Sequence, residues 1–393
     1  MCDAYLSLSE WHGGKQLPLD DGYDFGCNPV STYQVTRRGS CWLLLTMGLA
    51  LAGMIGNLPG QTLTQPIVAT KSGRGVLEPE LQRFEAQRPA MGVLFKVVGY
   101  AESEDQARGA VRQAFVRIEA LNRIFSDYDP NSEISRLTRL TEPGVWQSVS
   151  PELYEVLQKA RQVSVRSEGA FDVTVGPLSL FWRKIRKSKE DPDPFRIDAL
   201  RESVDFEFVE LHPFAHLVRL NRRDLQLDFG GIAKGYAADE ALETLRKEGI
   251  PSALIDASGD IRFSNPPPSR NAWVVAVAPL EQGGPPAYRL AMTGNAVATS
   301  GDAWQFVEIE GVRYSHVIDP RSGWALRGRQ SVTVIAPTGA QADAWASALS
   351  VMGHQRGIEL VERMDGIEAL YIVADGDRVV PHASKGFDHY RAQ

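Results

Sequence analysis

The chain has 393 residues, 43% of them hydrophobic and 23% charged, with a formal net charge of -7. That length and hydrophobic share can bury a large core in one big domain or two smaller ones, and the acidic balance argues against nucleic-acid binding, which shows as a basic surface. All three cysteines, Cys2, Cys27 and Cys41, stand at or before residue 41, so thiol catalysis, cysteine-ligated zinc and disulfides are excluded from everything beyond residue 71.

The first segment differs in kind from the rest. Arg37 and Arg38 precede "CWLLLTMGLALAGMIG", an uncharged apolar run from Cys41 to Gly56, and a polar linker follows as far as Lys71. The run falls short of the ~20 residues a spanning helix needs, which favours an export signal over a retained anchor. The arginines stand deeper in the chain than in most signals, which hints at an initiation site read too early. Residues 1–70 are therefore set apart as an extension with a signal-like or anchor segment at 41–56, and residues 71–393 as the folded domain, its core about 91–380. The expectation is an exported protein, periplasmic or on the outer face of the cytoplasmic membrane, with membrane association through 41–56 as the alternative.

From Met91 the patterning is mixed. "MGVLFKVVGY" reads as a strand, and "SEDQARGAVRQAFVRIEALNRIFSDYD" as an amphipathic helix with apolar positions at Ala107, Val111, Phe115, Ile118 and Leu121. "PELYEVLQKARQVSVRSEG" is a second helix, ended by Gly169. "FWRKIRKSKEDPDP" carries Arg183, Lys184, Arg186, Lys187 and Lys189 and reads as a solvated face or mobile loop, with docking of an acidic partner as the alternative. Beyond it come strands in "SALIDASGDIRF", "AWVVAVAP" and "YRLAMTG", and "QSVTVIAPTGAQADAWASALSVMG" passes from strand to helix. Helices and strands are interspersed without a βαβ rhythm, which points to an α+β fold of mixed sheets with packed helices.

Between these lies "LQLDFGGIAKGYAADEALETLRKEGI", Leu225 to Ile250, a short strand that breaks on a glycine pair and re-forms as a helix. It has neither P-loop spacing nor the G-x-G-x-x-G of a dinucleotide-binding unit. Backbone N–H groups at a helix start, with Lys234 close by, favour anionic oxygens.

Six stretches occur in an order that resembles one family: "FSDYDPNSEISRL", "GAFDVTVGPL", "DFGGIAKGYAAD", "AVATSGDA", "YSHVIDPRSG" and "ADAWASAL". The chain resembles the ApbE-type FAD:protein FMN transferases over roughly Met91 to Val380. The resemblance implies an ApbE-like, T-fold-related architecture. It also implies a magnesium-dependent enzyme that cleaves FAD, its substrate, and attaches FMN to a threonine hydroxyl of an acceptor flavoprotein, such as a membrane redox-complex subunit. Hydrolysis of FAD to FMN and AMP, and non-catalytic FAD binding, remain the alternatives.

The resemblance carries residue assignments with it. Asp343 and Ser347, at i and i+4 on one helix face, together with the Gly231 carbonyl would hold Mg2+, whose hard-oxygen preference they suit; the family more often has threonine at the serine position. Asp228 would contact the nucleotide, Lys234 would pair with phosphate, and Gly230 and Gly231 would let the backbone approach. Met91, Tyr128, Ala170, Phe171, Asp172 and Val317 match positions lining the FAD site, Tyr128 at its mouth. Val173 reads as core. His316, the one histidine of seven inside a motif, suits proton abstraction near neutral pH, with bonding of a loop backbone as the alternative; Asp343 is a second candidate for a catalytic role. Asp302 and Asp319 read as loop-bracing acids, with a place near the metal as the alternative.

Overall fold

The computed structural model describes residues 80–280, 284–301, 305–376 and 378–392. The expectations for the extension and for Asp302 lie outside these residues. Among the described residues no helix is long and apolar enough to cross a membrane.

Eight strands make one sheet in the spatial order Gln82–Ala90, Val93–Ala101, Ala253–Ala257, Asp260–Phe263, Ala296–Gly301, Gln330–Ala336, Glu368–Asp375 and Arg378–Ala383. Every neighbouring pair is antiparallel. Side chains alternate across a strand, and the core divides accordingly. Phe95, Val97, Ile255, Ala298, Val334 and Tyr371 join the helical side, whereas Val98, Leu254, Val297, Ile335 and Leu370 join the other. On the helical side lie Glu104–Phe125, Ala233–Lys247 and Gly339–Met352. The first of these is capped by Ser103, which accepts from the Gln106 N–H, and all five of its expected apolar positions are buried. The opposite face is covered by the hairpin Trp273–Val277 and Tyr288–Met292, with Trp273, Leu290 and Phe387 in the buried layer.

A smaller third core sits beside the sheet. Helices Gly176–Ser188 and Pro194–Arg201 pack on the three strands Phe306–Ile309, Val312–Ile318 and Ala325–Arg327 around the fully buried Trp182. The Trp182 indole donates to the Gly323 carbonyl at 2.9 Å, so the helix carrying Arg183 and Arg186 is pinned to the loop that follows His316.

Three local features differ from expectation. "SALIDASGDIRF" is two strands, because Ser258 and Gly259 both take positive φ (55° and 105°) between the paired Ala257 and Asp260 and so reverse the chain in two residues. Met91 likewise does not begin a strand: with Gly92 (φ 50° and 75°) it forms the tight turn between the paired Ala90 and Val93. The two turns are neighbours, since the Ser258 hydroxyl accepts from the Leu94 N–H and donates to the Leu94 carbonyl, both at 3.1 Å. Finally, Leu225–Phe229 belongs to no sheet. It runs along the turn before the 176–188 helix, where the Asp228 N–H donates to the Val173 carbonyl at 2.8 Å and a Cβ on Gly176 would stand 2.4 Å from the Gln226 carbonyl oxygen.

The start of the 233–247 helix meets the start of the 339–352 helix through glycines. A Cβ on Gly235 would lie 2.0 Å from the Gly339 carbonyl oxygen, and one on Gly339 would lie 2.4 Å from that of Gly235. Each helix caps the other: the Gly235 N–H donates to Asp343 Oδ2 at 3.1 Å, and the Gly339 and Ala340 N–H groups donate to Asp239 at 2.7 and 3.0 Å.

Candidate active site

Above this crossing a cleft of about 680 Å³ opens between the sheet turns, the glycine turn and the small third core. Met91, Tyr128, Ala170, Phe171, Asp172, Asp228, Gly231, Lys234, His316, Val317, Asp343 and Ser347 all line it, although they span some 250 residues of sequence.

Its floor is a buried charge cluster. The Lys234 ammonium donates to Asp343 Oδ1 and Oδ2 at 3.1 and 3.2 Å and to the Gly230 carbonyl at 2.7 Å, and it pairs with Asp260 Oδ2 at 3.1 Å. Burial pulls the Lys234 pKa down, but the carboxylates of Asp260 and Asp343 outweigh it and the pKa rises. Burial, with the Asp343 charge added to it, pushes Asp260 up to about 7. The lysine expected to meet phosphate therefore spends its donors on two carboxylates and a carbonyl.

The glycine turn is held by Asp228, whose Oδ1 accepts from the Gly230 N–H at 2.8 Å. At Gly231 a Cβ would stand 2.8 Å from Ser347 Oγ and 3.2 Å from the Phe171 ring. Only the bare backbone fits there, which brings the Gly231 main chain against Ser347, one helical turn from Asp343. The result is a carboxylate, a hydroxyl and a stretch of glycine backbone close together in the cleft lining. Among the described residues no three His, Cys, Asp or Glu side chains cluster to hold a metal, but an all-oxygen set with a single carboxylate is a donor set suited to a magnesium ion that keeps water and phosphate as its other ligands.

Arg183, also in the lining, bonds Asp127 and donates to Asp228 Oδ2 at 3.0 Å. Its guanidinium also lies 4.4 Å from the centre of the Tyr128 ring. Tyr128 is 76% exposed and stands at the mouth. Burial, followed by repulsion from Asp228, raises the Asp127 pKa.

His316 is half-buried on Val312–Ile318, the middle strand of the three-stranded sheet. Its Nδ1 stands 3.3 Å from the Gln305 carbonyl, and its own N–H donates to that carbonyl at 3.0 Å. A carbonyl only accepts, so Nδ1 carries the proton and Nε2 keeps a lone pair. Burial, then the nearby Arg186 charge, draws the His316 pKa down to about 4, so the ring is neutral at physiological pH. The Val317 N–H is taken by Ser315 Oγ at 3.1 Å.

Asp172 lines the cleft, yet its carboxylate serves the loop. Oδ1 accepts from the Thr174 N–H and hydroxyl, and Oδ2 from the Phe206 N–H, all at 2.8 Å. Ala170 and Phe171 are buried beside it, and Val173 is core as expected. Asp319 braces its loop by accepting from Arg321 at 2.9 and 3.1 Å and does not reach the cleft.

Sequence reasoning missed Asp260, Asp127, Arg183 and Arg186 as cleft residues. Asp260 follows a Ser-Gly pair, a turn signal that was legible. Arg183 and Arg186 were read as a solvated face; they stand at i and i+3 on the cleft side of the 176–188 helix, while Lys184, Lys187 and Lys189 are exposed.

The chain is 28% identical to the FAD:protein FMN transferase of Salmonella typhimurium over 73% of its own length and 83% of the relative's, and 29% identical to that of Vibrio cholerae over 79% and 93%. Its structure aligns with that of the ApbE protein from Thermotoga maritima with a TM-score of 0.72 at 26% identity, covering 79% of this chain and 100% of the other. The ApbE family model matches residues 91–371, from the first turn of the cleft through the strand beyond Asp343 and Ser347. The chain belongs to the ApbE family.

Proposed function

We propose that this chain transfers FMN from FAD to a threonine hydroxyl of an acceptor flavoprotein, releasing AMP, in a magnesium-dependent reaction. The observation that carries the reading is the meeting of Asp343, Ser347 and the backbone of Gly231 in the lining of a cleft that also presents the neutral His316.

Asp343, Ser347 and the Gly231 carbonyl would hold the Mg2+. When bound, it neutralises charge on the diphosphate and so assists phosphoryl transfer. Everything else falls to the chain. Met91 and Phe171 offer apolar contact to a flavin ring, and the exposed Tyr128 flanks the opening through which an acceptor segment must enter. Lys234 fixes the Asp343 carboxylate from one side and Gly235 N–H from the other, so the acid keeps one rotamer. His316 Nε2 takes the proton of the incoming hydroxyl as its oxygen bonds to the FMN phosphorus and the bond to the AMP oxygen breaks with its electron pair. Hydrolysis would differ only in water replacing the threonine.

The test is incubation with FAD, magnesium and a candidate acceptor domain, followed by mass measurement. Covalent FMN on the acceptor is the expected result; FMN and AMP without it would replace transfer by hydrolysis, and unaltered FAD in a stable complex would overturn both. The reading extends to location: an exported enzyme, directed or anchored by residues 41–56, so that a reporter fused after residue 70 should leave the cytoplasm.

A further inference from the structure

Three cations line the cleft among its described residues: Arg183, Arg186 and Lys234. Two of them are engaged. Lys234 holds Asp260, Asp343 and the Gly230 carbonyl, and Arg183 holds Asp127 and Asp228 while stacking on Tyr128. Arg186, half-buried one turn further along the same helix face, makes no ion pair or hydrogen bond among the described residues. A guanidinium drawn out of water without a counter-ion is costly. Arg186 shares the last turn of its helix with Lys187, which stays exposed.

We propose that Arg186 is the side chain that binds a phosphate of the dinucleotide, the role that sequence reasoning gave to Lys234. The inference rests on the flavin-transfer reading and deepens it by naming the residue that meets the diphosphate. A planar, permanently charged fork suits phosphate oxygens bidentately, and a doubly anionic diphosphate entering a cleft lined by five aspartates, Asp127, Asp172, Asp228, Asp260 and Asp343, needs a cation whose charge is not already cancelled. Position supports this. Arg186 lies close enough to His316 for its charge to help depress the imidazole, so a phosphate on Arg186 is held beside the group that takes the hydroxyl proton. Burial, then neighbouring Arg183, disfavours the Arg186 charge against the weaker pull of Tyr128 and Asp228, and a bound anion would relieve both costs.

The test compares flavins that differ only in phosphate. Quenching of flavin fluorescence gives the affinity for FAD, FMN and riboflavin at fixed magnesium for the full-length wild-type protein, Arg186→Ala and Arg186→Lys. Loss of a charge-assisted contact predicts about 10–100-fold weaker FAD binding in Arg186→Ala, partial recovery in Arg186→Lys, and riboflavin binding unchanged. Equal losses for FAD and riboflavin would make Arg186 a packing residue, and unchanged FAD binding with reduced transfer would assign it to the acceptor; either overturns the proposal. Wild-type protein that binds FAD by this pattern without transferring FMN defeats the transfer reading alone, whereas wild-type protein that binds no flavin defeats both.

Discussion

The Lys234 ammonium stands 3.1 Å from Asp343 Oδ1, so the acid proposed to hold the metal is already half of an ion pair. The lysine has a second carboxylate, Asp260, at the same distance. Removing one member of a buried pair normally costs about 3–5 kcal/mol because its partner is orphaned; here Asp260 remains. Asp343→Ala should therefore abolish FMN transfer while lowering stability by less than that range. Turnover across a magnesium titration and urea unfolding measure the two separately, and wild-type turnover at limiting magnesium would remove Asp343 from the metal site.

Gly231 gives a second prediction. A methyl group there meets Ser347 Oγ at 2.8 Å and the Phe171 ring at 3.2 Å, so Gly231→Ala should displace the serine and raise the magnesium concentration for half-maximal activity about tenfold. Ser347→Ala should raise that magnesium concentration as well. Because both act on one contact, the double variant should lose less than the sum of the two; strict additivity would mean that they do not share a ligand.

His316 separates base from brace. A positioned base contributes ~10²–10⁴-fold, so His316→Gln should lose transfer rate by about that factor with FAD affinity little changed, and a joint fall in rate and binding would make it a loop brace. The pH dependence has a definite sign. The unfolded imidazole takes a proton near 6.5, the folded one not until about 4, so between these values the unfolded state binds more protons and stability falls as pH drops. His316→Gln should flatten that slope, and kcat/KM of the wild type should show no loss from this group between about pH 8 and pH 5.

Asp172 behaves in the opposite sense. Burial outweighs its three hydrogen bonds and raises its pKa from 3.8 to about 6. The folded carboxyl thus keeps its proton where the unfolded one has lost it, and this group's contribution to stability falls as pH rises from about 4 to about 6. Asp172→Asn should remove that dependence. It should also cost about 1–3 kcal/mol at neutral pH, because its amide cannot accept from both Thr174 and the Phe206 N–H. Chemical unfolding at several pH values checks both; loss of activity in a fully stable variant would instead place Asp172 on the substrate.

Periodicity and turn chemistry carried most of the fold. The helix from Glu104 was readable because its apolar residues recur on one face and Ser103 caps it. Gly231, Asp343 and Ser347 came from the short, continuous motifs that carry the family resemblance, and all three line the cleft. What escaped depends on partners distant in sequence. Asp260 belongs to the site only because a two-residue reversal at Ser258 and Gly259 returns the chain beside Lys234. Arg183 and Arg186 form one face of a helix whose orientation is set by Trp182 bonding Gly323, 141 residues away, and no local pattern reports such a contact.

The mutual approach of Gly235 and Gly339 has a kinetic meaning as well. Lys234 and Asp343 are separated by 109 positions, and the two helix starts that carry them come together only when those glycines touch backbone to backbone. Closing so long a loop is entropically slow and belongs late in assembly. A chain in which those helix starts have not met would possess the glycine turn without the buried Lys234–Asp343 pair. A ligand held across this junction would stabilise only the state in which the two helix starts have met.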